Sequence, residues 1–108
     1  MTAQPRTLET VIIEFDSDVF LWDARTQSWF FTTVPAELGE MIREMPRPTR
    51  GFGSVRVEAT VGATTWRTSI FPDSSSGSYV LPLKKAVRDA ANLVDGSRAS
   101  VRLEILDV

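Results

Sequence analysis

The residues best suited to chemistry lie between Ser74 and Arg88: the run Ser74-Ser75-Ser76-Gly77-Ser78, then Leu81-Pro82-Leu83-Lys84-Lys85, then Arg88. The second segment reads as a helix start with Pro82 in its first turn. That end of a helix carries partial positive charge, so cations there are unfavourable unless something negative faces them. Leu81 is a poor N-cap and Pro82 has no N–H, which predicts free backbone N–H groups at Leu83, Lys84 and Lys85. With Lys84, Lys85, Arg88 and the hydroxyls of Ser76 and Ser78, these groups supply the parts of a site for phosphate or carboxylate. A solvated helix face has the same ingredients. Lys85 and Asp89 stand at i,i+4 spacing, and serines with glycine are ordinary turn material.

Trp66, Arg67, Ser69 and Tyr79 flank the serine loop and are candidates for lining a small-molecule pocket. Large aromatics also fill the interiors of small barrels, which is the competing expectation for Trp66 and Tyr79. Asp16-Ser17-Asp18 offers carboxylates to a hard cation, but such a site takes about six oxygen ligands and Phe15 and Val19 supply none. A hairpin turn is the expected role, and no metal is expected. Arg56, Glu58, Arg102 and Glu104 occupy matching positions in two VR-x-E segments and are expected to form cross-strand charge pairs on an outer face.

The chain of 108 residues has neither cysteine nor histidine. Thiol chemistry, imidazole metal ligands and every histidine-based nucleophile arrangement are thereby excluded. Catalysis would fall to a carboxylate, a lysine or a hydroxyl, for instance a Ser-Lys pair of Ser76 and Lys84 in a hydrolase or transferase. No signature surrounds that pair, so a binding module is expected before an enzyme. Twelve basic against fourteen acidic residues give a net charge of -2, so no global field draws the chain to nucleic acid or anionic membrane. No apolar run approaches the roughly 20 residues that span a bilayer, and there is no leader-like N-terminus. A cytoplasmic, single-domain monomer or weak oligomer without a cofactor is expected, its partner a small anionic ligand or another protein. Residues 1–7 are expected to be a flexible N-terminus.

The elements that must position these residues follow from periodicity. Val55-Arg56-Val57-Glu58-Ala59-Thr60-Val61 alternates strictly, as a strand with one buried face does. Gly62-Ala63 turns it into Thr64–Phe71, with Trp66, Thr68 and Ile70 on one side. Ser78–Leu81 forms a short strand, and the apolar residues Leu83, Ala86, Val87, Ala90 and Val94 recur at helical spacing before Val101–Ile105 alternates again. The first half predicts Val11–Phe15 and Val19–Trp22 as strands, Trp29–Val34 as a third, and a helix after Pro35 stopped by Pro46 and Pro48. Each half therefore runs strand, turn, strand, turn, strand, proline, helix, and Pro35 precedes VRVE by nearly the distance at which Pro82 precedes VRLE. Two pseudo-equivalent halves, Val11–Ala36 matching Val55–Leu83, predict a mainly β fold: a small closed barrel of six to seven strands with two short helices and an internal pseudo-two-fold repeat.

The ordered series Trp29-Phe30-Phe31-Thr32-Thr33-Val34-Pro35, Gly51-Phe52-Gly53-Ser54-Val55, Trp66-Arg67-Thr68-Ser69-Ile70-Phe71-Pro72 and Tyr79-Val80-Leu81-Pro82-Leu83-Lys84-Lys85 resembles a family of small bacterial and archaeal barrels, domain of unknown function 1905. The resemblance runs from about Val11 to Ile105 and departs at Gly96-Ser97-Arg98-Ala99. It implies a closed barrel of complex topology with short helices, and brings no agreed activity.

Overall fold

The computed structural model describes residues 10–23, 28–45 and 53–106. The elements run β1 (Val11–Asp23), β2 (Ser28–Thr33), α1 (Ala36–Arg43), β3 (Val55–Val61), β4 (Thr64–Asp73), β5 (Ser78–Pro82), α2 (Lys85–Ala91) and β6 (Arg98–Ile105). Six antiparallel strands close into a barrel in the order β1-β2-β5-β4-β3-β6. The mainly β barrel with two short helices is therefore what this sequence forms. Residues 1–7, the helix stop at Pro46 and Pro48, and the Gly51-Phe52 part of the resemblance lie outside the described residues.

The alternation in β3 does what its pattern requires: Val55, Val57, Ala59 and Val61 are buried while Arg56 is exposed and Glu58 and Thr60 are half-buried. Opposite them on β4 stand Ile70, Thr68, Trp66 and Thr64, with Ile70 fully buried and Trp66 packed on the core without being sealed in it. Of the charges in the two VR-x-E segments, Glu58 and Arg102 pair across strands. In the β3–β6 register Glu58 faces Glu104, and two ion pairs run to the other neighbour of each strand: Arg67 Nε of β4 approaches Glu58 at 3.5 Å and Arg102 Nε approaches Glu14 of β1 at 4.0 Å.

Asp16-Ser17-Asp18 is not a turn but the middle of β1, paired with Ser100, Ala99 and Arg98. Its polar groups are all engaged. Ser100 Oγ donates to Asp16 at 2.7 Å, Arg98 pairs with Asp18 at 3.0 Å, and the Ser17 hydroxyl donates to the Thr33 carbonyl at 2.8 Å. Local turn propensity yields here to long-range pairing, and two expected strands become one that follows β6 and then β2.

The internal repeat exists in a different frame from the expected one. Exchanging β1 with β4, β2 with β5 and β3 with β6 converts every neighbouring pair of the barrel into another neighbouring pair. The units are thus β1-β2-α1-β3 and β4-β5-α2-β6, and Val11–Ala36 does not correspond to Val55–Leu83. VRVE and VRLE are equivalent because each closes its unit. The hydrogen bonds set the residue match at the helices. Val34 N–H donates to the Tyr79 carbonyl at 2.9 Å and Leu83 N–H to the Phe30 carbonyl at 2.8 Å, while Gly39 N–H reaches Pro35 and Arg88 N–H reaches Lys84 at 2.9 and 3.0 Å. Pro35 therefore corresponds to Lys84, both N-caps, and Gly39 to Arg88.

Candidate functional site

The helix start that raised the anion question lies later than the sequence predicts. Pro82 is the last residue of β5, Lys84 is the N-cap of α2 and Lys85 its first helical residue. Leu83 N–H is spent on Phe30, so it is not a free donor. Lys85 Nζ lies 2.7 Å from Asp89, the i,i+4 pair of the solvated-face expectation, and this contact, foremost its hydrogen bond, holds the Asp89 carboxyl below its ordinary pKa of 3.8. With Leu83 N–H engaged, the full three-donor backbone cradle is not what these residues make.

A side-chain cleft is. β5 lies between β2 and β4 in the barrel and ends at Pro82, where the chain turns into α2. Beyond that point β2 and β4 part and leave a cleft of about 420 Å³. Trp29 and Phe30 enter from β2, and Trp66 and Arg67 from β4. The corner into α2 adds Lys84, Lys85 and Arg88. Among the described residues four cations thus line the cleft and no carboxylate does.

Arg88 is held from two directions. Its guanidinium carbon sits 3.9 Å over the centre of the Phe30 ring, and its Nε donates to the Leu83 carbonyl at 3.0 Å. Stacking and hydrogen bond together fix the guanidinium plane. Among the described residues Arg67 pairs with Glu58 and Lys85 with Asp89, whereas Lys84 has no ion-pair partner. The charge left over for a guest is that of Lys84 and Arg88.

The other repeat shows why the cleft is there. Gly39, the counterpart of Arg88, is buried, and a Cβ added to it would overlap the Ser78 hydroxyl and lie 3.0 Å from the Ser78 Cβ and 3.3 Å from its Cα. Glycine lets α1 close onto β5. Arginine at the matching place on α2 lies over β2 instead, and the cleft stands beside it.

Of the sequence candidates, Lys84, Lys85, Arg88, Trp66 and Arg67 meet in this cleft. Ser76, Ser78, Ser69 and Tyr79 do not line it. Tyr79 is buried in the core, and Ser69 sits in a shallow groove with Arg56 and Phe71. Ser76 belongs to a turn closed around Asp73: Ser75 Oγ donates to the carboxylate at 3.1 Å, Ser76 N–H to it at 3.2 Å, and Ser76 Oγ to the Asp73 carbonyl at 3.4 Å. The neighbour of Ser76 is therefore a carboxylate, not Lys84. Ser78 is buried against α1, its hydroxyl without a partner. Trp29 and Phe30 line the cleft although pattern reasoning does not single them out, and the density of aromatics in Trp29-Phe30-Phe31 is their only local signal.

Hydrogen bonds from Ser76 foremost hold the Asp73 carboxyl below its ordinary pKa of 3.8; slight burial opposes them and bonds from Ser75 add to them. A folded-state pKa below the unfolded one gives stability that is present above the unfolded value and lost as pH falls through the folded value. Asp73→Asn should therefore lower stability near neutral pH and flatten the acid limb of the stability curve, with parent and variant converging below the carboxylate range. Urea denaturation across that range checks this.

Among the described residues no helix is long and apolar enough to cross a membrane, and no group of three or more Asp and Glu side chains is placed to hold a metal ion. No curated protein matches this chain. A family model described as Domain of unknown function (DUF1905) matches residues 15–103, from Phe15 in β1 to Leu103 in β6, and the chain belongs to that family.

Proposed function

We propose that the chain is a cytoplasmic binding module that takes a small anionic ligand in the cleft between β2, β4 and α2. The observation that carries this reading is a cleft of about 420 Å³ lined by Arg67, Lys84, Lys85 and Arg88, with no carboxylate among the described residues that line it. Its volume lies in the range of small-molecule sites, and apolar walls with a few placed polar groups are what such sites use. Arg88 supports the reading further, because a guanidinium already locked by Phe30 and Leu83 gives up little freedom when it meets an anion. The absence of cysteine and of any basic field over the whole surface supports a soluble partner inside a reducing compartment.

A second reading, protein binding, is favoured by the outer face of the β1–β2 hairpin, where Phe20 and Trp22 stand opposite Phe31 and Trp29 and Trp22 is 57% exposed. The two readings part in one experiment. Inorganic phosphate should raise the melting temperature of the full chain more than chloride does at equal ionic strength, and Lys84→Ala with Arg88→Gln should abolish the excess. The variant also controls for the general stabilisation that excluded anions bring. An excess that survives in the variant rules out the cleft.

A further inference from the structure

We infer that the ligand class of the cleft is an aromatic acid: a flat ring bearing one phosphate or carboxylate, with the ring on Trp29 and Trp66 and the acid on Arg88 and Lys84. This rests on the anion reading of the same cleft and adds the ring. Two of the chain's three tryptophans line this one cleft. Trp29 is 43% exposed yet not adrift, because its indole stacks on Phe31 with centroids 6.3 Å apart and planes within 15°. Trp66 packs on the core while lining the cleft, so it presents a fixed apolar wall. Held indoles offer π surface to a planar guest without a cost in ordering them.

The polar side of the cleft sets the other half of the ligand. Arg88 Nε is used by the Leu83 carbonyl, which leaves the terminal Nη pair to meet two oxygens of one acid group end-on. Lys84 adds a second charge at the same corner. Among the described residues hydroxyls come only from Ser28 and Thr68, too few for the many hydrogen bonds a polyol would need. The pseudo-two-fold shows that the barrel can close this corner with glycine, as at Gly39, so the fold itself does not demand Arg88 or the cleft beside it.

Phenyl phosphate, benzoate, glycerol 3-phosphate, inorganic phosphate and neutral benzyl alcohol, each titrated into the full chain at equal ionic strength and followed by calorimetry, test this. The expected result is that phenyl phosphate or benzoate binds at least about tenfold more tightly than either ringless phosphate, the scale set by stacking a ring on an aromatic side chain. Whichever of the two wins assigns the acid as phosphate or carboxylate. Trp29→Leu should bring the ratio close to one without changing affinity for inorganic phosphate, and Trp66→Leu should do the same if circular dichroism shows it folded. Equal affinity for phenyl phosphate and glycerol 3-phosphate would overturn the ring while leaving the anion reading intact. Benzyl alcohol binding as tightly as phenyl phosphate would overturn the acid. No binding by any probe would overturn both readings.

Discussion

Leu103→Ala should lower the stability of the chain by about 2–5 kcal/mol, a large part of the roughly 5–15 kcal/mol that holds a domain of this kind together. Leu103 is fully buried in β6 and stands between Ile13 of β1 and Ala59 of β3. Its neighbour on β3 is already the smallest residue of that strand's inner face, so nothing there can lean in to fill the void. The closed sheet also resists collapse, because strands hydrogen-bonded on both sides cannot shift singly. Urea denaturation measures the loss as a fall in midpoint with little change in slope. Trp22→Ala provides the contrast: it removes a larger side chain that is 57% exposed, and should change stability by no more than about 0.5 kcal/mol.

The second large effect is expected at Gly39. A single methyl there should cost about 1–3 kcal/mol, although alanine is the better helix former by up to about 1 kcal/mol. Steric overlap with Ser78 outweighs propensity, since the Ser78 backbone as well as its hydroxyl stands in the way. Truncating the partner should relieve part of the overlap. Ser78→Gly alone loses a hydroxyl that is buried without a partner, and combined with Gly39→Ala it should restore part of the stability, giving a favourable coupling in a double-mutant cycle. Additive losses would mean that α1 and β5 do not meet at these two residues.

Both positions show where local reading succeeds and where it stops. β3 is legible because one face of the strand is buried and the other is not, so its chemistry alternates residue by residue. β1 defeats the same test at Ser17, a polar residue on the inward side whose hydroxyl is satisfied by the Thr33 carbonyl, a group distant in sequence. The repeat is legible as a spacing but not as a frame. Its boundary depends on which strands pair, and that information is spread across the whole barrel. Pro82 looks like a helix start because proline is common there, yet the Leu83 N–H bond to Phe30 keeps the chain extended until Lys84.

The candidate site divides in the same way. Lys84, Lys85, Arg88, Trp66 and Arg67 are visible as residue types with chemical potential, whereas their meeting depends on β5 ending between β2 and β4. Ser76 and Ser78 have the right chemistry and are near in sequence. The turn around Asp73 and the packing of α1 place them elsewhere. No local pattern reveals that Gly39 and Arg88 are counterparts, and this comparison sets the cleft apart from ordinary barrel packing.

Titration of isotope-labelled full chain with inorganic phosphate, followed by nuclear magnetic resonance at constant ionic strength, tests the anion cleft most directly. The Arg88 Nε–H signal reports the group bonded to the Leu83 carbonyl, and the indole N–H signals of Trp29 and Trp66 report the walls. Saturable shifts of these three signals together, with the Trp22 indole unmoved as the exposed reference, are the result that the cleft predicts. Shifts that never saturate, or that gather at the turn around Asp73 and leave Arg88 in place, would contradict it.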